Sequence, residues 1–344
     1  DTMKTMTLEN ITKACRGTYF GPEKKKSRTI EGAVIDSRLV EKDYLFIPVK
    51  GEKVDGHKFI PQVFEKGAAA VLSEKPLDPE MEPYILVEST LQALKDIAEY
   101  YRSTLEIPVV GIAGSVGKTS TKEMIASVLG RKYRVLKTEG NFNNEIGLPL
   151  TLLRIRDEHQ AAVVEMGISD FGEMHRLAKM ARPDICVMTN IGLCHLENLK
   201  SRDGILKAKS EIFDFLKPDG KIILNGNDDK LSTIQEVKGI RPIRYFVEDG
   251  TAPEGDEEYF VTASDIKNLG LKGMDAVFHF PEETRKVHIP IPGAHNIYNA
   301  LAGACVGRAL GLDNDEIIAG IQAAKTIRGR TNLLEIRGMT VIDD

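Results

Sequence analysis

Residues 106–125 carry the feature that most restricts what this chain can fold into. An apolar run, 107–112, reads as a buried strand. A turn with Gly114 and Gly117 follows, and then an amphipathic helix with Met124, Ile125, Val128 and Leu129. A strand, a glycine-rich turn and a helix that starts on Lys118 and Thr119 together form a grip for a nucleoside triphosphate. Glycines let backbone N–H groups point at phosphate oxygens, and the helix N-terminus adds a favourable field. In such a loop Lys118 reaches the β- and γ-phosphates, and the Thr119 hydroxyl ligates Mg²⁺. The spacing departs from the general pattern. The first glycine of that pattern falls at position 112, which is Ile112, and glycines stand instead at 111 and 114. The loop is therefore a variant made of Gly114, Ser115, Val116, Gly117, Lys118, Thr119 and Ser120. A plain strand-to-helix turn is the bland alternative.

A chain of 344 residues with 42% hydrophobic and 28% charged residues has room for two or three ordinary globular domains. A formal net charge of -5 argues against nucleic acid as a partner. No apolar run reaches membrane-spanning length, and no signal peptide is expected. Cys15, Cys186, Cys194 and Cys305 are scattered without metal-type spacing, as reduced cytoplasmic thiols are.

Before the loop, short strands and helices over residues 1–88 form a small α/β unit. Ser37 and Arg38 at a strand end, with Lys50 and His57 on turns, could hold an anionic group such as a pyrophosphate. They could equally be surface turn residues. The amphipathic helix at 90–105 is expected to open a second, central domain over 89–327. Alternating strands and helices from 106 to 229 fit an open parallel sheet wound by helices on both faces. Short antiparallel strands are expected at its edge within 240–290.

Within that domain Asn141 and Asn144 lie in a polar stretch that either caps a helix or touches substrate. Glu165 ends a buried strand, where a carboxylate beside a phosphate loop can bind Mg²⁺. His195 follows another strand end. Lys207 and Lys209 are two apart on a helix, so one can face a cleft and the other water. His295, Asn296 and Asn299 fall within about one helical turn and can share a face.

Taken in order, segments 114–120, 140–147, 163–167, 190–197, 206–213, 293–302 and 329–330 resemble the Mur ligase family, ATP-dependent amide-forming enzymes of peptidoglycan synthesis. The resemblance spans essentially the whole chain. It implies that Lys118 and Thr119 hold ATP phosphates and Mg²⁺, with Gly114, Ser115, Gly117 and Ser120 completing the loop. Glu165 and His195 resemble metal ligands. Lys209 resembles a lysine carried as a carbamate, which turns a cation into an oxygen donor for a second Mg²⁺. Asn296 and Asn299 resemble adenine-side residues, Arg330 an arginine near the γ-phosphate, and Asp344 an aspartate that holds the ribose. Ser37, Arg38 and the turn from Lys50 to His57 resemble a pocket for the UDP part of a substrate, making 1–88 its binding domain.

Residues 141–149, 165–167, 207–213 and 342–344 narrow the implied partners to UDP-N-acetylmuramoyl-tripeptide and D-alanyl-D-alanine. Asn141 and Asn144 are expected on the substrate side. A cytoplasmic monomer without membrane insertion is expected. Family members carry a further C-terminal domain, so 328–344 is expected to be the start of a truncated one. Two alternatives stay open. One is a related ligase that adds a diamino acid or lysine; a folylpolyglutamate synthase fits less well, given Asp36, Ser37 and Arg38. The other is a non-catalytic fragment that binds a nucleotide or UDP-sugar and joins nothing.

Overall fold

The computed structural model describes residues 3–192, 196–248 and 255–325. His195, Arg330 and Asp344 lie outside the described residues. The chain divides into two compact units.

In chain order the elements begin with α1 (Leu8–Ala14), β1 (Thr18–Phe20), β2 (Gly32–Val34), β3 (Tyr44–Phe46), α2 (Ile60–Glu65), β4 (Ala70–Ser73), β5 (Tyr84–Leu86) and α3 (Thr90–Ser103). Next come β6 (Val109–Ala113), α4 (Lys118–Leu129), β7 (Val135–Lys137), α5 (Gly147–Leu152), β8 (Ala161–Glu165), α6 (Glu173–Ala181), β9 (Ile185–Met188), α7 (Leu196–Leu199) and α8 (Arg202–Lys209). The last are β10 (Lys221–Asn225), β11 (Ile243–Val247), β12 (Phe260–Asn268), β13 (Met274–His279), β14 (Thr284–Ile289), α9 (His295–Ala309) and α10 (Asn314–Gln322).

The first unit comprises Asp1–Glu106, Glu139–Glu158 and Lys179–Ala181. Its sheet has the order β1-β5-β4-β3-β2. β2 to β5 run parallel, and β1 closes the edge antiparallel to β5. Phe46, Val63, Val71 and Tyr84 form its core. The boundary expected at 88/89 is displaced. α3 belongs to this unit: its apolar stripe of Ala93, Leu94, Ile97, Ala98 and Tyr101 is buried, and the Tyr101 hydroxyl donates to the carbonyl of Ile155 in the same unit. The asparagine stretch also belongs here, although it leaves from and returns to strands of the second unit.

The second unit is built on a nine-stranded sheet, ordered β14-β13-β12-β11-β10-β9-β6-β8-β7. All neighbours from β7 across to β12 pair parallel. β13 and β14 are antiparallel, as expected for the edge, whereas β12 runs parallel to β11 and turns only against β13. β6, β8 and β9 are buried along their whole length, which explains their unbroken apolar runs. α4 buries Met124, Ile125, Val128 and Leu129 in the same core as α9 and α10. α9 is buried nearly all round, consistent with its run of small and apolar residues.

β6 lies between β8 on one side and β9 on the other. The chain therefore leaves β6 in one direction and later returns past it in the other. That reversal opens a crevice at the carboxyl ends of the strands, where open α/β sheets bind ligands.

Candidate active site

Three neighbouring strand ends supply the site: Ala113 of β6, Glu165 of β8 and Met188 of β9. The loop after β6 depends on two glycines. Gly117 has φ 82°, the left-handed conformation that an L side chain resists. At Gly114 an added Cβ would overlap the hydroxyl of Thr189, so only a bare backbone fits there. The Thr189 hydroxyl is buried and has no hydrogen-bond partner among the described residues.

Two lysines from different helices converge on this loop. Lys118 Nζ donates to the Gly114 carbonyl at 3.0 Å, and Lys209 Nζ donates to the same oxygen at 2.6 Å. Lys209 is only 2% exposed, while Lys207 is exposed, so the two-residue spacing on α8 does send the pair in different directions. Glu211, just beyond, accepts from the amides of Gly172 and His175 at the start of α6.

Sequence reasoning missed the residue that clamps the loop. Asn190 Oδ1 accepts from the amides of Ser115 at 2.9 Å and Val116 at 3.1 Å, and its Nδ2 donates to the Val116 carbonyl at 2.8 Å. Ser115 Oγ in turn accepts from the Gly192 amide. Ile191 between them is held by Asp228, which accepts from its amide, and by Arg202, which donates to its carbonyl. Arg202 also pairs with Asp229, and that hydrogen-bonded guanidinium holds the Asp229 carboxyl below its ordinary range. Asn190 stands inside a motif quoted for the family resemblance, but its type alone does not reveal the clamp.

Glu165 is 1% exposed. Its Oε1 accepts from the Thr119 hydroxyl at 3.0 Å. Lys122 Nζ lies 3.2 Å from Oε2 as an ion pair but out of hydrogen-bonding geometry, so that buried oxygen receives no hydrogen bond among the described residues. Thr119, Glu165, Lys118 and Lys209 are thus brought together as the sequence reading expects. Among the described residues, no group of three or more His, Cys, Asp or Glu side chains could hold a metal ion. A hydroxyl and one carboxylate with an unsatisfied oxygen nevertheless suit Mg²⁺, which is held by one or two carboxylates with substrate phosphates and water. The donor set fits the ion.

Asn296 and Asn299 are both buried. Asn296 donates to the Pro292 carbonyl and accepts from Asn299, and Asn299 accepts from the Thr121 hydroxyl at 2.7 Å. These amides link α9 to the first turn of α4, where Ser120 is also buried.

In the first unit the candidate ligands behave differently. His57 Nε2 accepts from the Glu74 amide at 3.0 Å, which fixes the proton on Nδ1, and Nδ1 donates to Asp55 at 2.7 Å. Lys50 pairs with Glu74 at 3.0 Å. Glu74 also accepts from the Thr90 amide at the start of α3. Burial pushes the Glu74 carboxyl up, but the Thr90 amide and the Lys50 ammonium outweigh it and leave it below the usual carboxylate range. Ser37 is buried, and its carbonyl accepts from Lys66. The Arg38 side chain is 85% exposed and forks onto Asp36. Asn141 and Asn144 are exposed, and Asn144 Oδ1 accepts from the amides of Ile146 and Gly147, capping the entry to α5.

The sequence pattern described as the Mur ligase middle domain matches residues 112–307, and that of the Mur ligase family catalytic domain matches 29–102. The UDP-N-acetylmuramoyl-tripeptide–D-alanyl-D-alanine ligase of Bacillus subtilis (strain 168) is 39% identical over 343 residues, covering 98% of this chain and 71% of that protein. A crystal structure of MurF from Acinetobacter baumannii superimposes with a TM-score of 0.84 at 33% identity, over 96% of this chain and 70% of its own. MurF ligase from Thermotoga maritima in complex with ADP gives a TM-score of 0.75 at 30% identity, over 87% of this chain and 67% of its own.

Proposed function

This chain belongs to the Mur ligase family, and from that premise we infer that it is the ATP-dependent ligase that adds D-alanyl-D-alanine to UDP-N-acetylmuramoyl-tripeptide in peptidoglycan synthesis. One observation carries the assignment to chemistry. Lys118 and Thr119 at the start of α4, Glu165 at the end of β8 and Lys209 at the end of α8, three separate stretches of sequence, close around the Gly114 loop at the sheet's switch point. The ADP complex of a 30% identical relative supports ATP as the energy source.

The tripeptide carboxylate attacks the γ-phosphorus of ATP and ADP leaves, giving an acyl phosphate. The amine of D-alanyl-D-alanine then attacks the acyl carbon, loses a proton, and inorganic phosphate departs. Two anions must meet in the first step. Lys118 and the loop amides offset that repulsion and stabilise the transferring phosphoryl group. Thr119 and Glu165, with His195, would hold Mg²⁺, which when bound screens the phosphate oxygens. Lys118 and Lys209 donate to one carbonyl, so the loop keeps a donor if Lys209 changes its chemistry. This supports a carbamate there: the neutral amine takes up CO₂ and releases a proton. Asn296 and Asn299 flank the adenine side, with Arg330 and Asp344 at the γ-phosphate and the ribose. Ser37, Arg38 and the Lys50–His57 turn serve the UDP end of the substrate, with Asn141 and Asn144 on the peptide side. A cytoplasmic address follows from the use of ATP and a UDP-linked substrate. Among the described residues no helix is long and apolar enough to cross a membrane.

Phosphate release is the direct test. With ATP and UDP-N-acetylmuramoyl-tripeptide present, D-alanyl-D-alanine should accelerate it and a diamino acid should not. Stimulation by the diamino acid instead, or by neither, overturns the assignment.

A further inference from the structure

Lys122 is a lysine with no place in the phosphate-loop pattern, yet it is 2% exposed and among the largest fully buried side chains of the protein. It lies three positions after Thr119 on α4, so the two side chains share a helix face. Each meets one oxygen of the same carboxylate: the Thr119 hydroxyl donates to Glu165 Oε1 at 3.0 Å, and Lys122 Nζ lies 3.2 Å from Oε2. The ammonium is itself fixed, donating to the Thr138 carbonyl at 2.6 Å and lying 3.3 Å from Glu123 Oε1. Thr138 closes the frame, since its hydroxyl accepts from the Glu165 amide at 2.9 Å. A buried ion pair yields little net stability over apolar residues of the same volume, whereas removing one partner leaves a stranded charge. Stability alone therefore gives no reason to keep a lysine here.

We propose that Lys122 is a positioning residue whose ammonium acts as a resident cation, holding the Glu165 carboxylate in place beside Thr119 until a divalent ion arrives with the nucleotide. The proposal rests on the assignment of Glu165 as a metal ligand. A divalent ion at Glu165 then shares a charge that Lys122 already balances. Without Lys122 the ion becomes the sole countercharge, and the protein gains more from binding it.

The readout is thermal unfolding with a non-hydrolysable ATP analogue, in MgCl₂ and in EDTA. Lys122→Met should lower the midpoint in EDTA by roughly 10 °C, and its Mg²⁺-dependent gain should exceed that of the wild type by roughly 5 °C. Lys122→Arg, which keeps the charge, should restore the wild-type gain. An equal or smaller gain in Lys122→Met shows that Lys122 only packs, and overturns the proposal. If Lys122→Met does not fold, the double variant Lys122→Met with Glu165→Gln decides: removing both charges should recover a folded protein, and failure to recover it overturns the proposal. Glu165→Gln alone separates the two levels of the argument. It should abolish the Mg²⁺-dependent gain, and a gain that persists refutes Glu165 as the ligand and Lys122's role with it.

Discussion

The two units treat their polar residues in opposite ways. In the second unit, side chains converge on shared groups: two lysines from separate helices on the Gly114 carbonyl, and a hydroxyl and an ammonium from α4 on the Glu165 carboxylate. In the first, the candidate ligands are taken up by neighbouring residues that are not candidates themselves. His57 uses both ring nitrogens within its own turn and strand end, and Lys50 is paired with Glu74. Polar residues on a turn have backbone groups of their own to satisfy, so residue type there reports poorly on ligands. A fixed spacing between a strand, a glycine loop and a helix has no such competing use.

The sharpest way to break this contrast is at Lys118. Lys118→Ala should lower kcat/KM for ATP by about 10²–10³-fold, as loss of one preorganised charge donor does, with the unfolding midpoint little changed. A drop of less than tenfold in a phosphate-release assay would mean that the convergence on Gly114 is structural, as it is around His57. Next in size is Gly114→Ala. Its methyl group would overlap the Thr189 hydroxyl, and overpacking of this kind costs roughly 1–3 kcal/mol, or about 5- to 150-fold in nucleotide affinity if the strain falls on the loop. Adding Thr189→Ala should recover most of that loss in a nucleotide titration. No recovery would place the damage elsewhere.

Much of this contrast is legible in the sequence, for identifiable reasons. Buried parallel strands leave unbroken apolar runs, and the loop leaves a fixed spacing, so β6, α4, β8 and the residues Lys118, Thr119 and Glu165 can be read directly. The two-residue offset of Lys207 and Lys209 forecasts opposite directions, and Lys209 is the buried one. The clamp by Asn190 cannot be read, because its partners Ser115 and Val116 are about 75 residues away along the chain and one strand over. Lys122 leaves a trace only in its spacing from Thr119. The affiliation of α3 is hidden because an amphipathic stripe says that a face is buried, not which core buries it. β1 is three residues long and too short for periodicity to register.

The first unit offers a finer division between Arg38 and His57. Arg38 is exposed and, among the described residues, held only by Asp36, so Arg38→Ala should weaken UDP-N-acetylmuramoyl-tripeptide binding by about tenfold, the size of a lost charge-assisted hydrogen bond, and leave ATP affinity intact. His57→Ala should show the opposite balance. It leaves the Asp55 and Glu74 groups without their partner and should lower stability by about 1–3 kcal/mol, with a smaller loss of substrate affinity than Arg38→Ala wherever the protein is folded. Calorimetric titration and thermal unfolding of both variants would sharpen the contrast, and equal losses of affinity would erase it.

The smallest expected effect concerns Glu74, which joins Lys50 to the first turn of α3. Its folded pKa is lowered, because the Thr90 amide and the Lys50 ammonium outweigh the desolvation that raises it. A carboxyl of this kind binds protons less readily folded than unfolded. Its contribution to stability is therefore complete above the ordinary glutamate range and is lost as pH falls through the lowered folded value. Glu74→Gln should flatten that part of the acid limb in a pH series of thermal midpoints, with a loss at neutral pH of about 1 kcal/mol or less, since the acceptor at the α3 N-terminus survives as an amide oxygen while the charge does not. The two profiles should converge under acid, where the wild-type carboxyl is also neutral. If they stay parallel instead, the joint is held by shape and not by charge, and the first unit's self-satisfied polar network would owe nothing to the Lys50 ammonium, freeing Lys50 for the anionic ligand that its position on the turn suggests.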